Sequence, residues 1–152
     1  MKEISGIKIK IVDNWDANEI MRLYQAAGWW DEHDNISEIL PLIKNSFAFV
    51  VAIDETTNCC IGIGRAISDH ISDAYIEDIF VLPDYRRRGI GSRIVKTIVD
   101  ECINANILWI VLIAEVGFDS LYAHLGFEPM ESRNIPMQYN AKKSKESERI
   151  NL

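Results

Sequence analysis

The segment best equipped for chemistry is Arg86-Arg87-Arg88-Gly89-Ile90-Gly91-Ser92-Arg93, three arginines followed by spaced glycines. Glycines at 89 and 91 let the main chain turn its N–H groups toward one point, and a helix starting there adds free amides and its positive dipole end. The arginines add mobile positive charge suited to a pyrophosphate or a 3′-phosphate. Two well-known phosphate loops do not fit. A P-loop needs Gly-Lys-Ser/Thr, whereas Gly91 is followed by Ser92-Arg93; a dinucleotide loop needs a small residue where Ile94 stands and an acidic one near Val111.

The elements around this segment follow from hydrophobic period. Tyr75 to Leu82 reads as a strand ended by Pro83. From Gly91 to Asn104 the apolar residues Ile94, Val95, Ile98, Val99 and Cys102 recur at three and four, which predicts a helix with one buried face. Ile107 to Ala114 is a nearly continuous apolar run and predicts a strand covered on both sides. Upstream, Ile7 to Val12 alternates as a strand, and Asp16 caps a helix bearing Ile20, Leu23, Tyr24 and Ala27 that stops at Gly28. A second helix runs from Ser37 to Asn45 with Pro41 near its first turn, then Phe47 to Ile53 and Ile61 to Ser68 form a hairpin about Asp54 to Asn58. Phe118 to Leu125 is a short helix ended by Gly126, and Ile135 to Tyr139 a last strand.

The order β-α-α-β-β-β-α-β-α-β-β predicts one α/β (α+β) domain over residues 1–140. Residues 141–152 read as a charged, frayed tail.

Arg86-x-x-Gly89-x-Gly91, after a strand ending Val81-x-Pro83-x-Tyr85, resembles the acetyl-CoA signature of the GCN5-related N-acetyltransferases. Downstream, Leu121-Tyr122-x-x-Leu125-Gly126-Phe127 resembles that family's tyrosine helix and Leu-Gly-Phe turn. The resemblance implies the acyl-CoA N-acyltransferase fold, a mixed central sheet of six to seven strands with helices on both faces, acetyl-CoA as co-substrate, and transfer of its acetyl group to an amine. It also implies that the strand ending at Val81 and the strand from Ile107 run parallel and then splay. The pantetheine arm would enter the gap against the main chain of Phe80 and Val81, with Arg86, Arg87, Arg88, Gly89, Ile90, Gly91 and Ser92 around the pyrophosphate.

Tyr122 occupies the family's position for the acid that protonates the departing thiolate. The base is open between Glu77 and Asp78. Strict alternation puts Glu77 on a face with Tyr75, Ile79 and Val81, and Asp78 on the other with Ile76 and Phe80; either acid could instead pair with an arginine. Some family members carry glutamate where Tyr75 stands, and many carry Asn and Ala where Glu115 and Phe118 stand, so those contacts are not carried over.

For the acceptor, the resemblance points to the segments holding Trp29, Trp30 and neighbouring acids, and Ser68 to Asp73 with Asp69. Tryptophans beside carboxylates could receive a small cationic or aromatic amine. A protein N-terminal or lysine acetyltransferase, and a non-catalytic acetyl-CoA sensor or interaction module, are the rival readings. His33, Asp34, Asp69 and His70 match no metal motif, so no metal is expected. Cys59, Cys60 and Cys102 have no zinc spacing and no pairing pattern, and Cys102 reads as a buried thiol rather than a partner for His124.

Composition bounds the remainder. At 152 residues, 48% hydrophobic and 26% charged, the chain fits one globular domain, and a net charge of −7 argues against nucleic acid as a partner. No apolar run approaches the roughly 20 residues that cross a bilayer, and Met1-Lys2-Glu3 does not open a signal peptide. A cytoplasmic location without membrane attachment is the expectation, and the resemblance allows a homodimer.

Overall fold

The computed structural model describes residues 4–131 and 134–139; the tail expected over 141–152 lies outside the described residues. Five strands, β1 (Ile7–Val12), β2 (Ala48–Asp54), β3 (Cys59–Ser68), β4 (Asp73–Val81) and β5 (Trp109–Leu112), form one mixed sheet in sequential order. The first three pairings are antiparallel, and β4 with β5 is parallel. Helices α1 (Ala17–Ala26) and α2 (Ile39–Asn45) cover one face and α3 (Ile90–Asn104) the other, while α4 (Asp119–Ala123) follows β5.

The helix limits follow local chemistry. The Asp16 carboxylate accepts from the N–H groups of Asn18 at 2.8 Å and Glu19 at 3.3 Å, capping α1, and Gly28 at φ 76° ends that turn of chain. Pro41 is the third residue of α2, inside the first turn, where no intrahelical N–H is required. The β2–β3 hairpin forms as expected, with Asn58 at φ 55° donating to the Asp54 carbonyl at 2.7 Å.

Alternation along β2 divides the core. Phe49, Val51 and Ile53 pack with Ile20, Leu23, Tyr24, Ile39 and Ile43, whereas Val50 and Ala52 pack with the α3 residues Ile90, Ile94, Ile98 and Cys102. Helix α3 lies close because β3 offers glycine beneath it. A Cβ on Gly64 would fall 2.5 Å from Ile79 Cδ1 and 2.5 Å from Ile94 Cγ2. This close approach sets the start of α3 beside the end of β4.

Two expectations are corrected. The sheet has five strands among the described residues rather than six or seven: residues 134–139 form no strand, Pro136 lacks an amide to donate, and Met137 is 92% exposed. The apolar run from Ile107 pairs only over Trp109–Leu112, and Trp109 is 59% exposed. Continuous apolarity there does not mean cover on both faces: Ile110 and Leu112 pack against the core beneath α3, while Trp109 on the other face stays exposed.

Candidate active site

Pairing between β4 and β5 begins at Asp73↔Trp109 and ends at Ile76↔Leu112. From Glu77 to Val81, β4 continues against β3 only, so one edge of this stretch carries backbone groups that no strand among the described residues claims. The strand β4 therefore runs on past the end of β5, and its open stretch leads to the N-terminus of α3.

Within that stretch β4 bulges. Arg65↔Glu77 and Ile63↔Phe80 leave one more residue on β4 than on β3, and Asp78 takes φ 57°. The bulge corrects the alternation expected from sequence. Glu77 lies across from Arg65, and Asp78 reaches the same guanidinium: Arg65 Nη2 donates to Glu77 Oε1, and Arg65 Nε to Asp78 Oδ2 at 2.6 Å. The Tyr24 hydroxyl also donates to Asp78 Oδ2, at 2.7 Å. Both acids thus face α1, together with Phe80, while Ile76, Ile79 and Val81 pack toward α3. Burial raises the Glu77 carboxyl above the usual carboxylate range; Arg65 opposes that rise and the Asp78 charge adds to it. Burial, then Asp78, likewise pushes the Tyr24 phenol up, so it remains a donor.

The loop after β4 is pinned at several points. Tyr85 sits in the turn Pro83–Tyr85, and its hydroxyl donates to Asp54 Oδ2 at 2.7 Å. Arg86 Nε donates to the Val81 carbonyl at 2.9 Å, with the guanidinium 5.4 Å from the Phe80 ring centre. Arg88 donates to the Asp84 carbonyl at 3.0 Å and lies over the Tyr85 ring. Arg87, at φ 59°, is exposed and makes no hydrogen bond or ion pair among the described residues. Of the three arginines expected around a pyrophosphate, two are engaged by the loop itself and Arg87 is free.

Gly89 at φ 80° begins α3, and no side chain caps that end. The amides of the first turn, Ile90, Gly91 and Ser92, therefore have no intrahelical or side-chain acceptor. Ile90 is buried in the core, so only its main chain faces outward. An uncapped helix start, an exposed arginine and an unclaimed strand edge together fit a ligand that carries phosphates at one end and amide groups along an arm.

Tyr122 is held by the turn that follows it. Phe127 N–H donates to the Tyr122 carbonyl at 3.1 Å and Gly126 N–H to the Ala123 carbonyl at 3.1 Å, with Gly126 at φ 92°. This is a Schellman cap, and the Tyr122–Phe127 ring contact at 5.9 Å is its apolar clasp. The Leu-Gly-Phe signature thus fixes the tyrosine ring, whose hydroxyl has no partner among the described residues. Burial, and after it Glu115, raises the phenol above its ordinary value, so it keeps its proton at neutral pH.

Trp29 and Trp30 join this region through α1. Trp29 contacts Tyr24 at 5.6 Å and Phe80 at 5.9 Å, Trp30 contacts Tyr24 at 5.3 Å, and Trp29 remains 40% exposed. Asp69 does not join them. Its carboxylate accepts from the N–H groups of Ile71, Ser72 and Asp73 and from the Ser72 hydroxyl. That turn precedes the first residue of β4, roughly 20 Å of strand from Phe80. Asp69 shapes its own loop. Among the described residues no group of His, Cys, Asp and Glu is arranged to hold a metal, and no helix is long and apolar enough to cross a membrane. His70 meets Phe47 edge to face, and His124 Nδ1 lies 2.6 Å from the Ser120 carbonyl, while Cys102 is buried without it.

Residues 13–127 match the sequence profile of the Acetyltransferase (GNAT) family. The chain belongs to this family. It is a GNAT N-acetyltransferase, and acetyl-CoA is the donor its family uses. It is 27% identical over 127 residues to the uncharacterized N-acetyltransferase ycf52 of Pyropia yezoensis, covering 82% of this chain and 72% of that protein. A protein of unknown function from meticillin-resistant Staphylococcus aureus has a similar structure, with TM-score 0.73 and 26% identity over 88% of this chain and 98% of that one. A GNAT family acetyltransferase from Streptococcus pneumoniae shares the fold at TM-score 0.74 and 24% identity, over 89% and 98% of the two chains.

Two residues of the Glu77–Asp78 cluster, Arg65 and Tyr24, escape a sequence reading. Arg65 lies inside an apolar strand and Tyr24 inside an apolar helix face. Their only sequence signal is a polar group at a position whose neighbours are core.

Proposed function

We propose that this GNAT enzyme acetylates a small primary amine, cationic or aromatic, by direct attack in a ternary complex, with Glu77 as base and Tyr122 as acid. The observation that carries this reading is the break in β4–β5 pairing after Ile76, where the register Arg65↔Glu77 sets Glu77 on the face that Trp29 lines and the bulge brings Asp78 beside it. Acetyl-CoA, when bound, supplies an acetyl thioester whose carbonyl carbon bonds to the amine nitrogen as the C–S bond breaks and its electron pair leaves on sulfur.

Among the described residues Glu77 has one oxygen without a partner, and through it takes one proton from the incoming ammonium, directly or through water. Tyr122 gives its proton to the departing thiolate. The second nitrogen proton, lost as the amide forms, restores the phenol through solvent, and Glu77 releases its own to water. Asp78 is the scaffold: one of its oxygens accepts from both Tyr24 and Arg65. Arg87 and the amides of Ile90 to Ser92 hold the phosphates, the edge of β4 at Phe80 and Val81 takes the arm, and Trp29 with Trp30 forms the acceptor wall.

Initial rates with both substrates varied test the ternary route. Intersecting reciprocal plots are expected; parallel plots would show an acetylated enzyme instead.

A further inference from the structure

Glu77 and Asp78 are consecutive, and in a regular strand their side chains would point to opposite faces. Here the bulge brings both onto one guanidinium. The arrangement needs the planar fork of arginine, since a single ammonium cannot offer two separated donors in fixed directions. Arg65 itself is a poor candidate for a ligand contact: its side chain is only 16% exposed, and its Nε and Nη2 are both engaged by carboxylates.

We propose that Arg65 is a positioning residue for acetyl transfer: by bridging Glu77 and Asp78 across the β4 bulge, it holds the Glu77 carboxylate on the acceptor face and sets how strongly that carboxylate takes a proton. This rests on the reading of Glu77 as the base. The groups that act on Glu77 are Arg65 from β3 and Asp78 beside it on β4; Tyr75 shares its face, and Tyr24 reaches in from α1 through Asp78. Two of these influences oppose each other. Arg65 favours the charged carboxylate and Asp78 disfavours it, so removing either moves Glu77 in a known direction.

The test follows the Glu77 carboxyl by carbon-13 NMR as pH is varied, with Glu77→Gln identifying the signal. In Arg65→Met the titration midpoint rises by about one to three pH units, and in Arg65→Lys by less, because charge is kept while the fork is lost. In Asp78→Asn it falls. Should Arg65→Met fail to fold, Arg65→Lys and Asp78→Asn carry the same test. Midpoints that stay at the wild-type value overturn the bridge. Thiol release from acetyl-CoA with phenethylamine is followed in parallel, and its acidic limb is expected to move with the NMR midpoint. A moved midpoint with an unmoved limb overturns Glu77 as base, and with it the link from Arg65 to turnover.

Discussion

Arg65 on β3 stands across from Glu77 on β4, yet its Nε donates to Asp78, the next residue along, at 2.6 Å. One cation serves two consecutive carboxylates because β4 carries an extra residue at that point. The same bulge marks where β4 has left β5, so the strand defect, the paired acids and the open edge are one feature of the backbone.

Close packing beneath α3 makes Gly64 a sensitive position. Gly64→Ala places a methyl group 2.5 Å from Ile79 Cδ1 and Ile94 Cγ2, in a core with no slack. The variant is expected to lose about 1–3 kcal/mol of stability in urea unfolding. Unchanged stability would mean that α3 can lift from the sheet freely.

The loop latch has a defined pH dependence. The Tyr85 hydroxyl, followed by the Thr56 amide, holds the Asp54 carboxyl below its ordinary value of 3.8. A carboxyl depressed by folding adds stability that is complete above its unfolded value and is lost as pH falls through the folded one. Tyr85→Phe should therefore lower the urea midpoint at neutral pH, and the gap to wild type should close as pH drops below 3.8. A gap independent of pH would mean that the hydroxyl stabilises the loop without drawing on the Asp54 charge.

Much of this architecture is legible in the residues. Asp16 and Gly28 bracket α1, alternation in β2 divides the two faces of the core, and Gly89 with Gly91 announces the start of α3. Those signals are local. Arg65 and Tyr24 are not found this way, because their meaning depends on Asp78, which is 13 and 54 residues away from them. The bulge is equally silent, since an aspartate at φ 57° has no sequence mark distinguishing it from one in a regular strand. The apolar run of β5 misleads for a related reason: it reports what could be covered, while cover depends on segments elsewhere. Asp69 shows a further limit of sequence reading, since its acid type does not reveal that its carboxylate holds the N–H groups of its own loop.

Tyr122→Phe separates acid catalysis from packing. The ring contact with Phe127 survives the change, so the fold and acetyl-CoA affinity should be retained. Turnover with a saturating amine is expected to fall by roughly 10²- to 10⁴-fold. Wild-type turnover would leave the cap as the tyrosine's whole role.

Trp29→Ala tests the acceptor wall. The ring is partly exposed beside Phe80, and a stacked or cationic amine held there should gain about 0.5–2 kcal/mol. The variant should lose about 2- to 30-fold in kcat/KM for aromatic amines, with binding of CoA unchanged. Equal loss for CoA binding would place Trp29 in the donor site instead.

Release of free thiol from acetyl-CoA by the intact chain, across a panel of primary amines and of peptides with free N-termini or lysines, tests the central claim most directly. Small aromatic or cationic amines are expected to drive thiol release at rates well above the amine-free control. CoA binding without thiol release for any amine or peptide in the panel would contradict catalysis.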